Sequence, residues 1–165
     1  MSIVLFRVDE RLIHGQVVVG WGSHLRLNQI VVVDDALASS EWEQELYTLG
    51  LPAELNSRFE TVAQARKHLS DWRASSARVA VLTRDVSTMR RLAQDGCLKG
   101  EQINIGGLHH AAGRRAALPY VFLSDDEASE LAALSDEGAL VSARDLPGSR
   151  RVELDDLLRN NNRHS

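Results

Sequence analysis

The chain has 165 residues, 44% of them hydrophobic and 25% charged, with a formal net charge of -4; these values describe one globular domain large enough to bury a core unaided. The acidic balance gives no electrostatic footprint for nucleic acid, no window approaches the roughly 18 apolar residues of a membrane helix, and the N-terminal apolar run is too short for a signal peptide. A single cysteine, Cys97, excludes an internal disulfide, reads first as a buried and inert thiol, and leaves a cytoplasmic protein as the expectation.

Ile3 to Val8 predicts a first strand, followed by a loop of charged residues and a helix from Val17 to Leu27. Gly20 and Gly22 weaken that helix, because glycine costs about 1 kcal/mol in a helix interior. Ile30 to Val33 is a β-branched run suited to a strand buried on both faces. Ser39 or Ser40 can cap a helix that stops at Gly50. Arg58 to Val62 is a weak strand, and Thr61 with Gln64 makes a capping box for a helix to about Arg73. Val79 to Leu82 is a further buried strand. Asp85 or Ser87 caps a helix ending at Gly96, which suits a left-handed C-terminal cap. Gln102 to Ile105 and Tyr120 to Leu123 read as strands, separated by a loop rich in histidine and arginine. Ser124 caps the acidic start of a helix to about Leu134, where negative side chains suit the helix dipole. Ala139 to Ala143 reads as the last strand.

Strands alternating with helices require crossover connections. The expected fold is therefore α/β, an open and mostly parallel β-sheet with helices on both faces. Residues 1–159 form a single domain, and 160–165 form a polar tail that should fray.

In such a sheet ligands bind beyond the carboxyl ends of the strands. Two of those loops combine reactive and anion-binding groups, Asp9 to Gln16 and Gly106 to Arg115. His14 stands in the first. Gly15 beside it removes side-chain bulk, and a helix starting near Gln16 would turn free N–H groups toward an anion. Arg11 can pair a phosphate with its fork. Asp9 can accept an imidazole N–H and fix the tautomer. Imidazole is neutral and nucleophilic near neutral pH, so His14 is a candidate phosphoryl acceptor; a structural or solvated histidine is the equal alternative.

Rival chemistries lack their residues. No GxxxxGK[ST] or GxSxG occurs. His109 and His110 are adjacent and diverge, with no further ligand at metal spacing, so no metal and no cofactor are expected. Gly106-Gly107 suggests a tight turn whose amides could help to hold an anion. Trp21 either packs on the sheet or walls the His14 site and meets a partner. Arg114-Arg115 and Arg150-Arg151 are either solvated pairs or a surface for an acidic partner.

The segment Arg7-Val8-Asp9-Glu10-Arg11-Leu12-Ile13-His14-Gly15-Gln16-Val17, with Trp21, resembles the active-site loop of IIB components of the mannose/fructose/sorbose class of the bacterial phosphotransferase system. The likeness continues in Ile30 to Asp35, in Asn104 to His109 and in Tyr120 to Asp126, and so spans nearly the whole chain. Glu10 departs mildly, standing where a second aspartate is frequent.

The resemblance implies a phosphocarrier. A IIA protein, acting in trans, would phosphorylate His14 on Nδ1 with Arg11 assisting. The group would then pass to a sugar bound by the membrane components IIC and IID. The implied site comprises His14, Arg11 and Asp9 for transfer, Gly15, Gln16, Gly106 and Gly107 around the phosphate, and Trp21 and Arg7 for docking partners. A regulatory phosphoprotein without sugar transport is the alternative, and an unmodified small-ligand domain a third. His14 is expected on an exposed loop, since it would meet two partners in turn.

Overall fold

The structure, a computed structural model, describes residues 2–163. In chain order its elements are β1 (Ile3–Val8), a helix whose first turn is π-type (Gln16–Trp21) and which continues as α1 (Gly22–Leu25), β2 (Gln29–Val33), α2 (Glu41–Thr48), β3 (Asn56–Glu60), α3 (Val62–Ala74), β4 (Val79–Thr83) and α4 (Val86–Leu92). They continue with β5 (Gln102–Ile105), β6 (Arg115–Leu118), β7 (Val121–Leu123), α5 (Asp125–Asp136), β8 (Leu140–Ala143), β9 (Val152–Glu153) and α6 (Leu154–Arg163). Seven strands form one sheet in the order β3-β2-β4-β1-β5-β8-β9, and β6 and β7 make a separate hairpin. Every neighbour pair from β3 to β8 is parallel, and β9 closes the edge antiparallel to β8.

The apolar runs form strands because both faces are covered. Val31, Val33, Val79 and Val81 join one core with Leu69 and Trp72 of α3, Met89 of α4, Leu131 of α5 and Leu157 of α6. Their neighbours Ile30, Val32, Ala80 and Leu82 join a second core with Val17, Trp21 and Leu37. The α/β expectation holds, with a mostly parallel sheet and helices on both faces.

The caps follow local chemistry. Thr61–Gln64 and Ser124–Glu127 form complete capping boxes, and the Asp85 side chain accepts from the Thr88 N–H. Ser40 stands at the start of α2 without making a side-chain cap. Gly96 does take a positive φ of 73°, after α4 has already ended at Leu92. Gly20 has a tertiary reason, since a Cβ there would lie 3.0 Å from Leu146 Cδ2, whereas Gly22 has a local one, a Cβ lying 3.1 Å from the Val17 carbonyl of the same helix.

The polar tail is a correction. Residues 160–163 belong to α6, and 164–165 lie outside the described residues. Leu154, Leu157, Leu158 and Asn161 share one helical face. Asn161 is 1% exposed, and its amide donates to the Arg115 carbonyl at 3.0 Å and the Leu123 carbonyl at 3.2 Å. These bonds tie α6 to the β6–β7 hairpin.

β1 is a central strand. Val8 at its carboxyl end pairs with Thr83 of β4 on one side and Ile105 of β5 on the other. The chain leaves β1 toward β2 and leaves β4 in the opposite direction toward β5, so the β1–β4 boundary is a topological switch point. A crevice opens at such a boundary. The loop that follows β1 is tied to both neighbouring strand ends, the Asp9 N–H donating to the Thr83 carbonyl and the Glu10 N–H to the Gly107 carbonyl, both at 2.9 Å.

Candidate active site

The site rests on a buried arginine. Arg7 is 0% exposed. Its Nη1 donates to Asn104 Oδ1 and, at 2.9 Å, to the Arg144 carbonyl. Its Nη2 donates to Asp9 Oδ2 and to the Asp145 carbonyl, both at 3.1 Å. The guanidinium lies 5.3 Å from the Trp21 ring centroid, a cation–π distance. Burial pushes the pKa of Arg7 down and Asp9 opposes it; a guanidinium stays charged regardless.

Asp9, also fully buried, is the partner that makes this charge tolerable. Its Oδ1 accepts from the Arg11 N–H and Arg11 Nε, both at 3.0 Å, and its Oδ2 from Arg11 Nη2 at 2.9 Å. Burial alone would raise the pKa of Asp9. The hydrogen bonds from Arg11 and the Arg7 charge outweigh it and hold the carboxyl below its ordinary 3.8. Arg11 is shifted up, chiefly by its bond to Asp9. Its side chain keeps 31% exposure, so one charge of this Arg7–Asp9–Arg11 chain reaches the surface.

Gly106 and Gly107 make room for the two guanidinium groups. A Cβ on Gly106 would stand 2.3 Å from Arg7 Nη2 and 2.6 Å from Asp9 Oδ2, and one on Gly107 3.0 Å from Arg11 Nη2. The Gly106 N–H is spent on the Val8 carbonyl at 2.8 Å. The Gly106 amide is therefore not free for a phosphate, and both glycines shape the base of the site. Gln16 is likewise turned inward, accepting from Arg11 Nη2 at 2.8 Å, and so orients the arginine.

His14 follows a strained turn. The Leu12 N–H donates to the Asp9 carbonyl at 3.0 Å, and Leu12 itself has a φ of 53° while its side chain is 0% exposed. A left-handed leucine costs roughly 1–2 kcal/mol, which burial of its side chain offsets. Its carbonyl lies 2.8 Å from His14 Nδ1. His14 Nε2 is buried without a hydrogen-bond partner, 3.8 Å from Asp9 Oδ2. The ring is 18% exposed, less open than expected, because the loop turns Nε2 inward. Asp9 Oδ2 faces the ring at 3.8 Å, beyond hydrogen-bond range, and the Leu12 carbonyl is the group within hydrogen-bond distance of Nδ1. The N–H groups of Val17 and Val18 both donate to the His14 carbonyl, at 3.1 and 2.9 Å, and are not free for an anion. Gly15 is exposed, with a helical φ of -52° and nothing within 4 Å of the position of a Cβ. It leaves open space beside His14.

Arg7 and Trp21 do not present a docking surface. Arg7 is sealed and Trp21 is 6% exposed, its Nε1–H donating to the Asp145 carbonyl at 3.0 Å. Arg114 and Arg115 are also engaged within the fold. Arg114 joins Glu10 to Glu127, and Arg115 pairs with Asp125. His109 Nδ1 lies 3.2 Å from Glu10, and the His110 ring meets Phe122 edge-on. Among the described residues no group of three or more His, Cys, Asp or Glu stands ready to hold a metal.

Sequence reasoning missed Asn104 and the carbonyls of Arg144 and Asp145. Main-chain oxygens carry no residue-type signal. It also missed Tyr120, whose phenol is pushed up by burial and by the nearby Asp145 carboxylate.

Residues 3–165 match the family model described as PTS system sorbose subfamily IIB component. The chain belongs to that family. Its relatives include the N-acetylgalactosamine-specific phosphotransferase enzyme IIB component 1 of Escherichia coli K12, 30% identical over 94% of this chain and 98% of that protein. The crystal structure of manxB from Thermoanaerobacter tengcongensis superposes with a TM-score of 0.85 at 31% identity, covering 95% of each chain. The mannose-specific EIIAB component of Escherichia coli K12 is 25% identical over 96% of this chain and 49% of its own length. This chain is thus a IIB component of the phosphotransferase system in the sorbose/mannose family, a phosphotransferase family linked to sugar transport. Among the described residues this IIB component has no helix long and apolar enough to cross a membrane.

Proposed function

We propose that this IIB component is a cytoplasmic phosphocarrier. His14 accepts a phosphoryl group from a IIA protein and delivers it to a sugar bound by the IIC and IID membrane components. The observation that carries this reading is His14 in the loop beyond the carboxyl end of the central strand β1, with the partly exposed, Asp9-anchored Arg11 three residues before it and open space at Gly15 beside it. Phosphoryl transfer has a loose transition state, so positioning and charge stabilisation are the main requirements. Arg11 meets the second, since its Nη1 is not used by the Asp9 and Gln16 bonds. The name of the mannose-specific EIIAB relative joins IIA to IIB, which supports a IIA protein as donor.

The test is incubation with a histidine-phosphorylated IIA protein followed by mapping of acid-labile phosphate. Label on His14, lost in a folded His14→Ala variant, is the expected result; label that persists in that variant defeats the assignment. Transfer onward to sugar in membranes holding IIC and IID distinguishes transport from a purely regulatory role.

A further inference from the structure

The two nitrogens of His14 are not equivalent. A carbonyl oxygen can only accept, so the 2.8 Å contact with Leu12 requires the proton on Nδ1. Nε2 then carries the lone pair, yet it is buried, without a hydrogen-bond partner, and faces the Asp9 carboxylate at 3.8 Å. An anionic phosphoryl group cannot approach there, because the site is closed and the charge repels it. Nδ1 is held by a single contact, and that contact comes from a residue in a strained conformation, Leu12 at φ 53°. A strained residue at a functional loop commonly marks a second accessible arrangement.

We propose that Leu12 is a positioning residue whose carbonyl locks His14 in the resting tautomer, and that Asp9 takes over the ring when the lock opens. This rests on the phosphocarrier reading. On release of the Leu12 carbonyl, the Nδ1 proton leaves to solvent and Nε2 takes one up, so the ring still holds one proton. The Nε2–H then points at Asp9 Oδ2, and closing the gap to hydrogen-bond range needs a shift of only ~0.8 Å. Nδ1, now with its lone pair free, attacks phosphorus. The Nδ1–P bond forms as the bond from phosphorus to the donor histidine breaks, and the donor imidazole leaves with that electron pair. Asp9 is already anchored by Arg7 and Arg11 and does not move. In the resting state the lock keeps the nucleophilic nitrogen out of reach until the loop is disturbed by a docked donor.

The first measurement is nitrogen-resolved NMR of His14 in the unphosphorylated full chain, at a pH above the ordinary histidine range. A dominant Nδ1–H tautomer is expected; a dominant Nε2–H tautomer overturns the lock. Because this needs no phosphoryl donor, its failure leaves the phosphocarrier reading standing, and failure of that reading leaves the tautomer result intact. The second measurement replaces the Leu12–Ile13 amide with an ester, which weakens the carbonyl as an acceptor and keeps both side chains. Several-fold faster labelling of His14 by the small donor phosphoramidate is expected, with the Nε2–H tautomer enriched. An unchanged rate and tautomer in the folded ester protein refute the role of Leu12.

Discussion

Two glycines near His14 should respond to the same substitution in opposite ways. Gly15 has a helical φ and open space around it, so Gly15→Ala is expected to leave the fold intact or to stabilise it by about 0.4–1 kcal/mol through the unfolded chain. Phosphorylation by a IIA protein should nevertheless slow, because the methyl group fills the approach to His14. Gly106→Ala places a methyl 2.3 Å from Arg7 Nη2 in a sealed interior, where overpacking costs about 1–3 kcal/mol. Denaturant titration paired with a labelling assay separates the two, and equal stability losses would contradict this geometry. Arg11→Ala is expected to slow transfer and also to cost about 1–2 kcal/mol, since Asp9 loses two of its donors while keeping Arg7 and the N–H of residue 11. That modest figure reflects the partial exposure of Arg11, which screens its charge. A variant that transfers at the normal rate would remove Arg11 from the reaction.

At the level of elements, α6 holds more than its composition suggests. Ending the chain after residue 159 removes Asn161 and leaves the carbonyls of Arg115 and Leu123 without its amide. Buried carbonyls left without a donor cost about 1–3 kcal/mol, so the truncated protein should unfold at measurably lower denaturant. In the full chain Asn161→Leu should lower stability as well, because leucine fills the space but donates nothing. Unchanged stability in both would show that the β6–β7 hairpin is held by other contacts. The first helix illustrates the same dependence on neighbours. Gly20 lets the 144–149 loop close over it, and that loop supplies the carbonyls that receive Arg7.

The whole molecule should lose stability in acid. Asp9 is held below its ordinary range by Arg11 and Arg7 against the opposing effect of burial, and Glu127 is held low against burial mainly by Arg114. A carboxyl with a lowered folded pKa stabilises the fold above the unfolded value, and that contribution is lost as pH falls through the folded value. The thermal midpoint is therefore expected to be level above about pH 5 and to fall below about pH 4. Glu130, pushed up by burial, works in the other direction. Asp9→Asn should flatten part of the acid limb and also lower stability at neutral pH by about 3–5 kcal/mol, because Arg7 is left buried without its counter-charge. An acid limb identical to that of the natural protein would show that Asp9 does not carry it.

What the amino-acid order determined by itself was local. Continuous apolar runs such as Ile30 to Val33 and Val79 to Leu82 specify strands buried on two faces, and Thr61, Asp85 and Ser124 specify where helices start, because those choices depend on residues close in the chain. The charged loop around His14 was legible for a related reason: a histidine, two arginines and two acids in eleven residues is a pattern that periodicity does not demand. Only the tertiary structure decided what those residues do to one another. Arg7 faces inward because neighbouring Asp9 is joined there by Asn104 of β5 and the carbonyls of residues 144 and 145, groups far away in sequence, and no composition reveals main-chain oxygens. Gly106 and Gly107, which read as an anion nest, give clearance to guanidinium groups brought from β1 and its loop. Asn161 looked like a frayed tail, since asparagine favours turns, until the hairpin supplied carbonyls for it. The tautomer of His14 depends on the backbone angle of Leu12, and that angle is set by the core around its side chain rather than by the leucine itself.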